Sequence, residues 1–316
     1  MKAHQANSQL VAIVEDYLHK RRALGFMLVE AERHCRNFLQ WLWSSGNAQA
    51  SFTAAEVAMW VRGADDLKSG YQYQRLSAVR GFARYCQGLG MDVQVPTGRA
   101  LGAGKNRRRP HIYSQQELDA LIVACRHVFI YPLVQTTMAH LIGLLAVTGI
   151  RPGEALRLRS DDLDVEAATL LIQANKHGPD RRIPLDPTTV EALVAYQADP
   201  DRQAANPQAD GPIFVSVKGS AYRLVTVQTH FHRLRDAADF TWDGTVPCLS
   251  DLRHTFATRQ MIQAYKTPGA DPAATLGLLA NWLGHSVPAH TYWYIEAVPD
   301  LLAMAAGRMD PTITME

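Results

Sequence analysis

Cysteine is scarce: Cys35, Cys86, Cys125 and Cys248 are the only four in 316 residues, far apart and without a CxxC pair. That spacing indicates neither a disulfide framework nor a zinc knuckle, and it predicts a reducing, cytoplasmic setting. Long apolar runs are lacking too. The longest, around Leu141 to Ile150, is about half of what a membrane span requires, so no membrane partner is expected. The N-terminal run Leu10-Val11-Ala12-Ile13-Val14 stops at Glu15-Asp16, too short and too acidic on its far side for a signal peptide. His230/His232 and His285/His290 lack metal-ligand spacing and a third ligand, so no metal site is expected. A phosphate loop is absent as well: Gly98 and Gly104-Lys105 are one residue too far apart, and Asn106 stands where Ser or Thr is needed.

What is present fits a soluble protein of two globular domains, 47% hydrophobic and 20% charged. The net charge of +2 conceals an asymmetry. Residues 1–111 carry 16 Lys+Arg against 8 Asp+Glu, net +8, whereas residues 112–316 carry 16 against 22, net −6. A basic N-terminal third suits a polyanionic partner, and a solvated basic face gives the same count.

Apolar spacing of three and four residues predicts helices around Leu10 to Leu18 and Phe38 to Leu42, ending near Gly25 and Gly46. A third follows the Thr53/Glu56 capping-box spacing, and a fourth runs from about Ser69 to Gln87. In the fourth, Arg75, Arg80 and Arg84 interleave with Leu76, Val79 and Phe82, a pattern that suits either a helix lying across a DNA groove or a solvated amphipathic helix. Between Arg99 and His111 the basic residues Arg99, Lys105, Arg107, Arg108 and Arg109 occur with glycines, prolines and no acid, which reads as a linker able to track a phosphate backbone.

Beyond it, Ser114 precedes Glu117 by three, and helices are predicted from there and at about Thr136–Val147, Pro187–Tyr196, Thr226–Ala238, Asp251–Ala264, Pro272–Leu283 and Pro299–Ala306. Two short strands, Thr169–Ile172 and Arg182–Leu185, form a hairpin around Gly178-Pro179. The fold class is therefore mainly α with a small β-hairpin.

Several separated segments bear on one chemistry. Thr148-Gly149-Ile150-Arg151-Pro152-Gly153-Glu154 puts an arginine just past a helix end, with an acid three residues on that can orient it. Lys176 sits at the hairpin tip, Arg253 in the first turn of a helix opened by Ser250-Asp251-Leu252, and His285 nine residues before Tyr294. In order, spacing and context these segments resemble the tyrosine recombinase (phage integrase) family over nearly the whole chain.

The resemblance implies a helical, SAM-like core-binding domain over residues 1–95, a basic linker over 96–112, and a catalytic domain with a C-terminal helix over 113–316. It implies a site-specific recombinase that breaks and rejoins double-stranded DNA without metal or nucleotide cofactor, in integration, excision or resolution. Tyr294 matches the nucleophile of a 3′-phosphotyrosyl intermediate, with Tyr292 a nearby competitor. Arg151 and Arg253 match the pair that grips the non-bridging oxygens, where planar guanidinium forks fit the charge gathered in the transition state. Lys176 matches the general acid, His285 a hydrogen-bonding group at the phosphate, and Arg181 a phosphate or structural contact.

Ser250 departs from the family pattern, which has a histidine or lysine there. A hydroxyl hydrogen-bonds phosphate but carries no positive charge, so a DNA-binding protein of the same fold with lapsed catalysis is the alternative. A transcription regulator with a basic helical domain would leave the Arg-Lys-Arg-His-Tyr order unexplained. The apolar segment Leu301, Leu302, Met304, Ala305 resembles the terminal helix that docks on a neighbouring protomer, and packing within its own chain is the other reading. A homo-tetramer on two DNA sites is the assembly implied.

Overall fold

Apolar spacing sets which faces of the N-terminal helices are buried, and side-chain capping sets where one of them starts. In the computed structural model, residues 2–47, 49–63, 69–97, 108–173, 180–205, 208–242, 244–285, 291, 301 and 304 are described. The chain divides into two units, Met1–Arg107 and Arg108–Glu316.

The first unit holds the four expected helices: α1 (Lys2–Ala23), α2 (Val29–Ser44), α3 (Ala54–Arg62) and α4 (Ser69–Gly88). At the start of α3, the Glu56 amide donates to Thr53 Oγ1 at 3.1 Å and the Thr53 amide to Glu56 Oε2 at 2.7 Å, a capping box that contributes about 1 kcal/mol. Leu10, Val14 and Leu18 of α1, Phe38 and Leu42 of α2, Trp60 of α3 and Val79 and Phe82 of α4 form one buried core. Phe38 lies edge-on to Phe52 at 5.1 Å and to Trp60 at 5.3 Å. Gly81 sits inside α4 although glycine costs a helix about 1 kcal/mol relative to alanine. The reason is close packing, since a Cβ there would lie 2.7 Å from Tyr17 Oη of α1.

In the second unit α5 (Gln115–Val128) opens on the Ser114/Glu117 capping box. Helix α6 (Pro132–Thr148) begins four residues earlier than the apolar pattern alone suggests. Pro132 explains this, because its fixed φ suits a first turn, where its missing N–H has no partner to lose. The short α7 (Pro152–Ala155) follows, then three antiparallel strands in chain order, β1 (Leu163–Asp164), β2 (Thr169–Ile172) and β3 (Arg181–Pro184). The expected hairpin thus gains a third strand, too short at two residues to show alternation in sequence. Leu170 pairs with Ile183, and Ile172 with Arg181.

The chain continues through α8 (Pro187–Gln197), α9 (Pro200–Ala204), α10 (Leu224–Ala237), α11 (Asp251–Lys266) and α12 (Pro272–Leu283). Leu121, Met138, Leu141, Leu145, Leu170, Phe214, Phe231 and Leu252 belong to the main core of this unit. A second cluster joins α11 to α12 through Phe256, Met261, Leu279 and Leu283. Leu301 is fully buried in that cluster and Met304 packs on it, so these two residues of the C-terminal segment pack within their own chain. The turn at Gly178-Pro179 and the rest of the predicted 299–306 helix lie outside the described residues.

Candidate active site

Three backbone terminations bring Arg151, Arg253 and His285 together. Helix α6 ends at Gly149, whose φ of +64° is left-handed and whose amide donates to Leu145 O at 3.0 Å. A Cβ at Gly149 would come within 2.5 Å of the Phe256 ring, so both the dihedral and the space demand glycine. Two residues later, Arg151 opens α7, and its amide donates to Glu154 Oε2 at 2.9 Å. Helix α12 ends in a Schellman closure, with the His285 amide on Ala280 O at 2.9 Å and the Gly284 amide on Asn281 O at 3.0 Å. Gly284 also carries positive φ, and a Cβ there would lie 3.0 Å from Arg181 Nη1. The third termination is the start of α11, where Ser250 and Asp251 lead into Arg253.

The Leu283 carbonyl is the meeting point. Arg253 Nη2 donates to it at 2.6 Å and Arg151 Nη1 approaches it at 3.5 Å. Arg253 Nη1 donates to Gly149 O at 3.0 Å, tying α11 to the loop that carries Arg151. Arg253 Nη2 also donates to His285 Nε2 at 2.8 Å. Because guanidinium only donates, that ring nitrogen is the acceptor, and the ring proton sits on Nδ1, which donates to Thr291 Oγ1 at 2.8 Å. Arg253 is buried, whereas the Arg151 side chain is 46% exposed and presents its charge to a ligand approaching from solvent.

Glu154 organises the arginines. It accepts from Arg151 Nη1 at 2.8 Å and from Arg181 Nη2 at 2.8 Å. Burial pushes its carboxyl upward, but the Arg181 hydrogen bond, the Arg151 amide and the two guanidinium charges hold it down at about 2. Arg181 further donates from Nε to Trp282 O at 2.7 Å, and Trp282 Nε1 donates to Thr148 O at 2.7 Å. The Arg151 loop, β3 and the end of α12 are therefore laced together by Glu154, Arg181 and Trp282.

The remaining predicted groups are distributed as follows. Ser250 is exposed at the N-cap of α11, and its side chain makes no cap bond. His254 is neutral: burial, opposed by Asp251, lowers it to about 4, with the Arg253 and Arg108 charges adding to the fall. In the first unit Arg75 donates to Trp60 O at 2.7 Å and lies over the Trp60 ring, while Arg80 donates to Pro96 O at 2.8 Å. Arg84 and Arg109 are exposed. Arg108 bonds Asp251, and Arg181 bonds Glu154, so both guanidinium groups are engaged within the second unit. Lys105, Arg107, Lys176, Tyr292 and Tyr294 lie outside the described residues.

The inward role of Arg181 has a sequence signal, because strand alternation puts it on the same face as the buried Ile183. Asp251 and Trp282 carry no such signal, since their partners are distant in sequence. Among the described residues no group of three His, Cys, Asp or Glu is placed to hold a metal, and no helix is long and apolar enough to cross a membrane. A groove of about 640 Å³ between α5, α6 and α8 contains none of the groups above. The arginines instead lie at the junction of α7, α11 and the end of α12, and Arg151 reaches solvent.

Known proteins resemble the chain in sequence and in fold. Residues 113–299 match the model of the phage integrase family. The chain is 31% identical over 304 residues to the integrase/recombinase-like protein y4rB of Sinorhizobium fredii, spanning 94% of this chain and 96% of that one. It is 31% identical over 246 residues to the tyrosine recombinase XerD of Mycobacterium leprae, spanning 74% and 72% respectively. The fold is similar to that of XerH site-specific recombinase bound to a palindromic difH substrate, with a TM-score of 0.68, 20% identity, and 96% and 84% of the two chains covered. By the family match over residues 113–299 and by its identity to these relatives, the chain belongs to the phage integrase family of tyrosine recombinases.

Proposed function

We propose that this site-specific recombinase cuts and rejoins double-stranded DNA through a 3′-phosphotyrosyl link to Tyr294. The observation that carries the reading is the convergence of Arg151 and Arg253 at the Leu283 carbonyl, with His285 held against Arg253. Two guanidinium groups and an imidazole held at one point suit a phosphate whose non-bridging oxygens gain charge in the transition state. Tyr294 Oη attacks phosphorus, its bond to phosphorus forms as the bond to the 5′-oxygen breaks, and the phenol proton passes to solvent water. Lys176 delivers a proton to the departing 5′-oxygen. The phosphodiester is exchanged rather than hydrolysed, so the reverse attack by a 5′-hydroxyl reseals a strand without ATP.

The palindromic substrate of XerH suits one copy on each half-site, and four copies of the present chain on two DNA sites is the assembly proposed. Arg84, Arg109, Lys105 and Arg107 are assigned to the phosphate backbone. Whether strands are integrated, excised or resolved follows from the sites used.

A second reading, a DNA-binding protein of this fold with weakened cleavage, is favoured by one observation. Ser250 stands exposed at the start of α11, where the family carries histidine or lysine, and it cannot supply positive charge. Denaturing cells that express the chain, capturing protein-linked DNA and sequencing its ends both tests the reading and maps the crossover site. Adducts at a discrete sequence that vanish in Tyr294→Phe are expected. Recovery of noncovalent complexes alone would favour the second reading, and Ser250→His would then be expected to restore cleavage.

A further inference from the structure

The start of α11 contains an ionic contact, with a buried carboxylate and a half-exposed guanidinium, that the chemistry above does not use. Asp251, 1% exposed, follows Ser250 and precedes Arg253 by two residues. Its carboxylate accepts the Cys248 amide at 2.9 Å and both of its oxygens accept from Arg108 Nη2. Arg108 also donates to Val246 O at 2.6 Å and to Cys248 Sγ at 2.9 Å, so one guanidinium spans the turn that enters the helix. The same segment is fastened twice more. The Tyr113 amide donates to Thr255 Oγ1 at 2.9 Å, and Arg259 Nη2 donates to Tyr113 O at 3.1 Å.

Asp251 is well placed to anchor this turn. A carboxylate in the first turn of a helix is favoured by the helix dipole, and an isolated buried charge would be costly without a partner. Arg108 is the partner, and its fork meets both the carboxylate and a carbonyl, which a lysine ammonium does not reproduce. Arg253 reaches Gly149 O and Leu283 O from the next residues of the same helix, so a shift of the α11 entry displaces its guanidinium from the reacting phosphate.

We propose that Arg108 and Asp251 are a positioning pair that fixes the entry of α11, and through it Arg253, and that Arg108 does not serve as a contact to the DNA backbone. The inference rests on the recombinase reading for its consequence in cleavage, but its structural core is independent of activity. The basic run of residues 99–109 thus includes a residue, Arg108, that serves the catalytic helix.

The test uses the full chain as wild type, R108Q, R108K, D251N and the double variant R108Q/D251N, with three readouts. Hydrogen exchange at Leu252 to Thr255 is expected to quicken in R108Q and D251N, and the double variant to be no worse than the worse single one. Binding to a 30-base-pair duplex of arbitrary sequence, titrated with salt, is expected to keep the wild-type slope in R108Q. Single-turnover cleavage of a nicked duplex carrying the mapped crossover site, at saturating protein, is expected to fall by up to about 100-fold in R108Q and to stay low in R108K.

A phosphate contact would give the opposite pattern: a salt slope lower by about one in R108Q, and near wild-type affinity and rate in R108K. That pattern, or unchanged exchange at the α11 entry, overturns the proposal. Wild-type protein that binds DNA without forming an adduct would defeat the cleavage reading, while exchange and salt slope would still decide the role of Arg108.

Discussion

In the N-terminal unit Arg75 and Arg80 donate to the carbonyls of Trp60 and Pro96, whereas in the second unit Arg151, Arg181 and Arg108 end on the carboxylates of Glu154 and Asp251. The basic part of the chain uses two of its arginines as carbonyl-bound struts. The second unit uses acids to aim Arg151, Arg181 and Arg108. Net charge by segment, +8 over residues 1–111 and −6 beyond, therefore does not report how the individual arginines are held. An acid excess around a phosphate site is unfavourable only if the acids face the ligand. Glu154 and Asp251 are buried behind the guanidinium groups they hold.

The contrast is broken most severely at Glu154. Replacement by alanine strands Arg181 at the base of the site, and breaking such a buried pair is expected to cost about 3–5 kcal/mol, read as a lower urea midpoint. Cleavage is expected to drop about 100-fold or more, because Arg151 loses its orientation. A second strong effect is expected from Gly149→Ala, which forces alanine into left-handed backbone against the Phe256 ring. About 2–4 kcal/mol of stability should be lost in the same denaturant assay. No comparable loss is expected from Gly46→Ala, where positive φ is present but a Cβ meets nothing within 4 Å.

Acid sharpens the comparison differently. His254 has a folded value of about 4 against an ordinary 6.5, so it favours the folded state fully above pH 6.5, and that contribution is lost as pH falls toward 4. At full protonation the loss is on the order of 3 kcal/mol. Glu154, held at about 2 against an ordinary 4.5, adds a second loss between those values. Thermal melts at pH 7 and pH 4.5 are expected to separate in the wild type and to draw closer in His254→Asn. The smallest effect belongs to the N-terminal unit, where Arg84→Ala is expected to reduce the salt slope of DNA binding by about one. Arg75→Ala, whose guanidinium is held by Trp60, is expected to leave that slope unchanged.

Much of the fold was legible in the sequence because its signals are local. The capping boxes at Thr53/Glu56 and Ser114/Glu117 and the glycines after α6 and α12 mark element ends without tertiary help. Strand β1 was not legible, since two residues cannot display a period. At the site, Arg151, Arg253 and His285 stood out by motif order, and Glu154 by its spacing from Arg151. The engagement of Arg108 with Asp251 was not readable, because the partners are 143 residues apart and a basic run in a Gly/Pro-rich stretch reads first as a phosphate clamp. The same limit applies to Trp282, whose indole bonds a carbonyl 134 residues away.

The proposed function requires the centre assembled at Leu283 to present a DNA phosphate to Tyr294. The most direct measurement is tandem mass spectrometry of the protein peptide linked to DNA after cleavage of a nicked duplex bearing the mapped site. The expected result is a nucleotide mass on Tyr294 joined through a 3′-phosphate. A modified Tyr292, a 5′-phosphate link, or the absence of any linked peptide from protein bound to that duplex would contradict it.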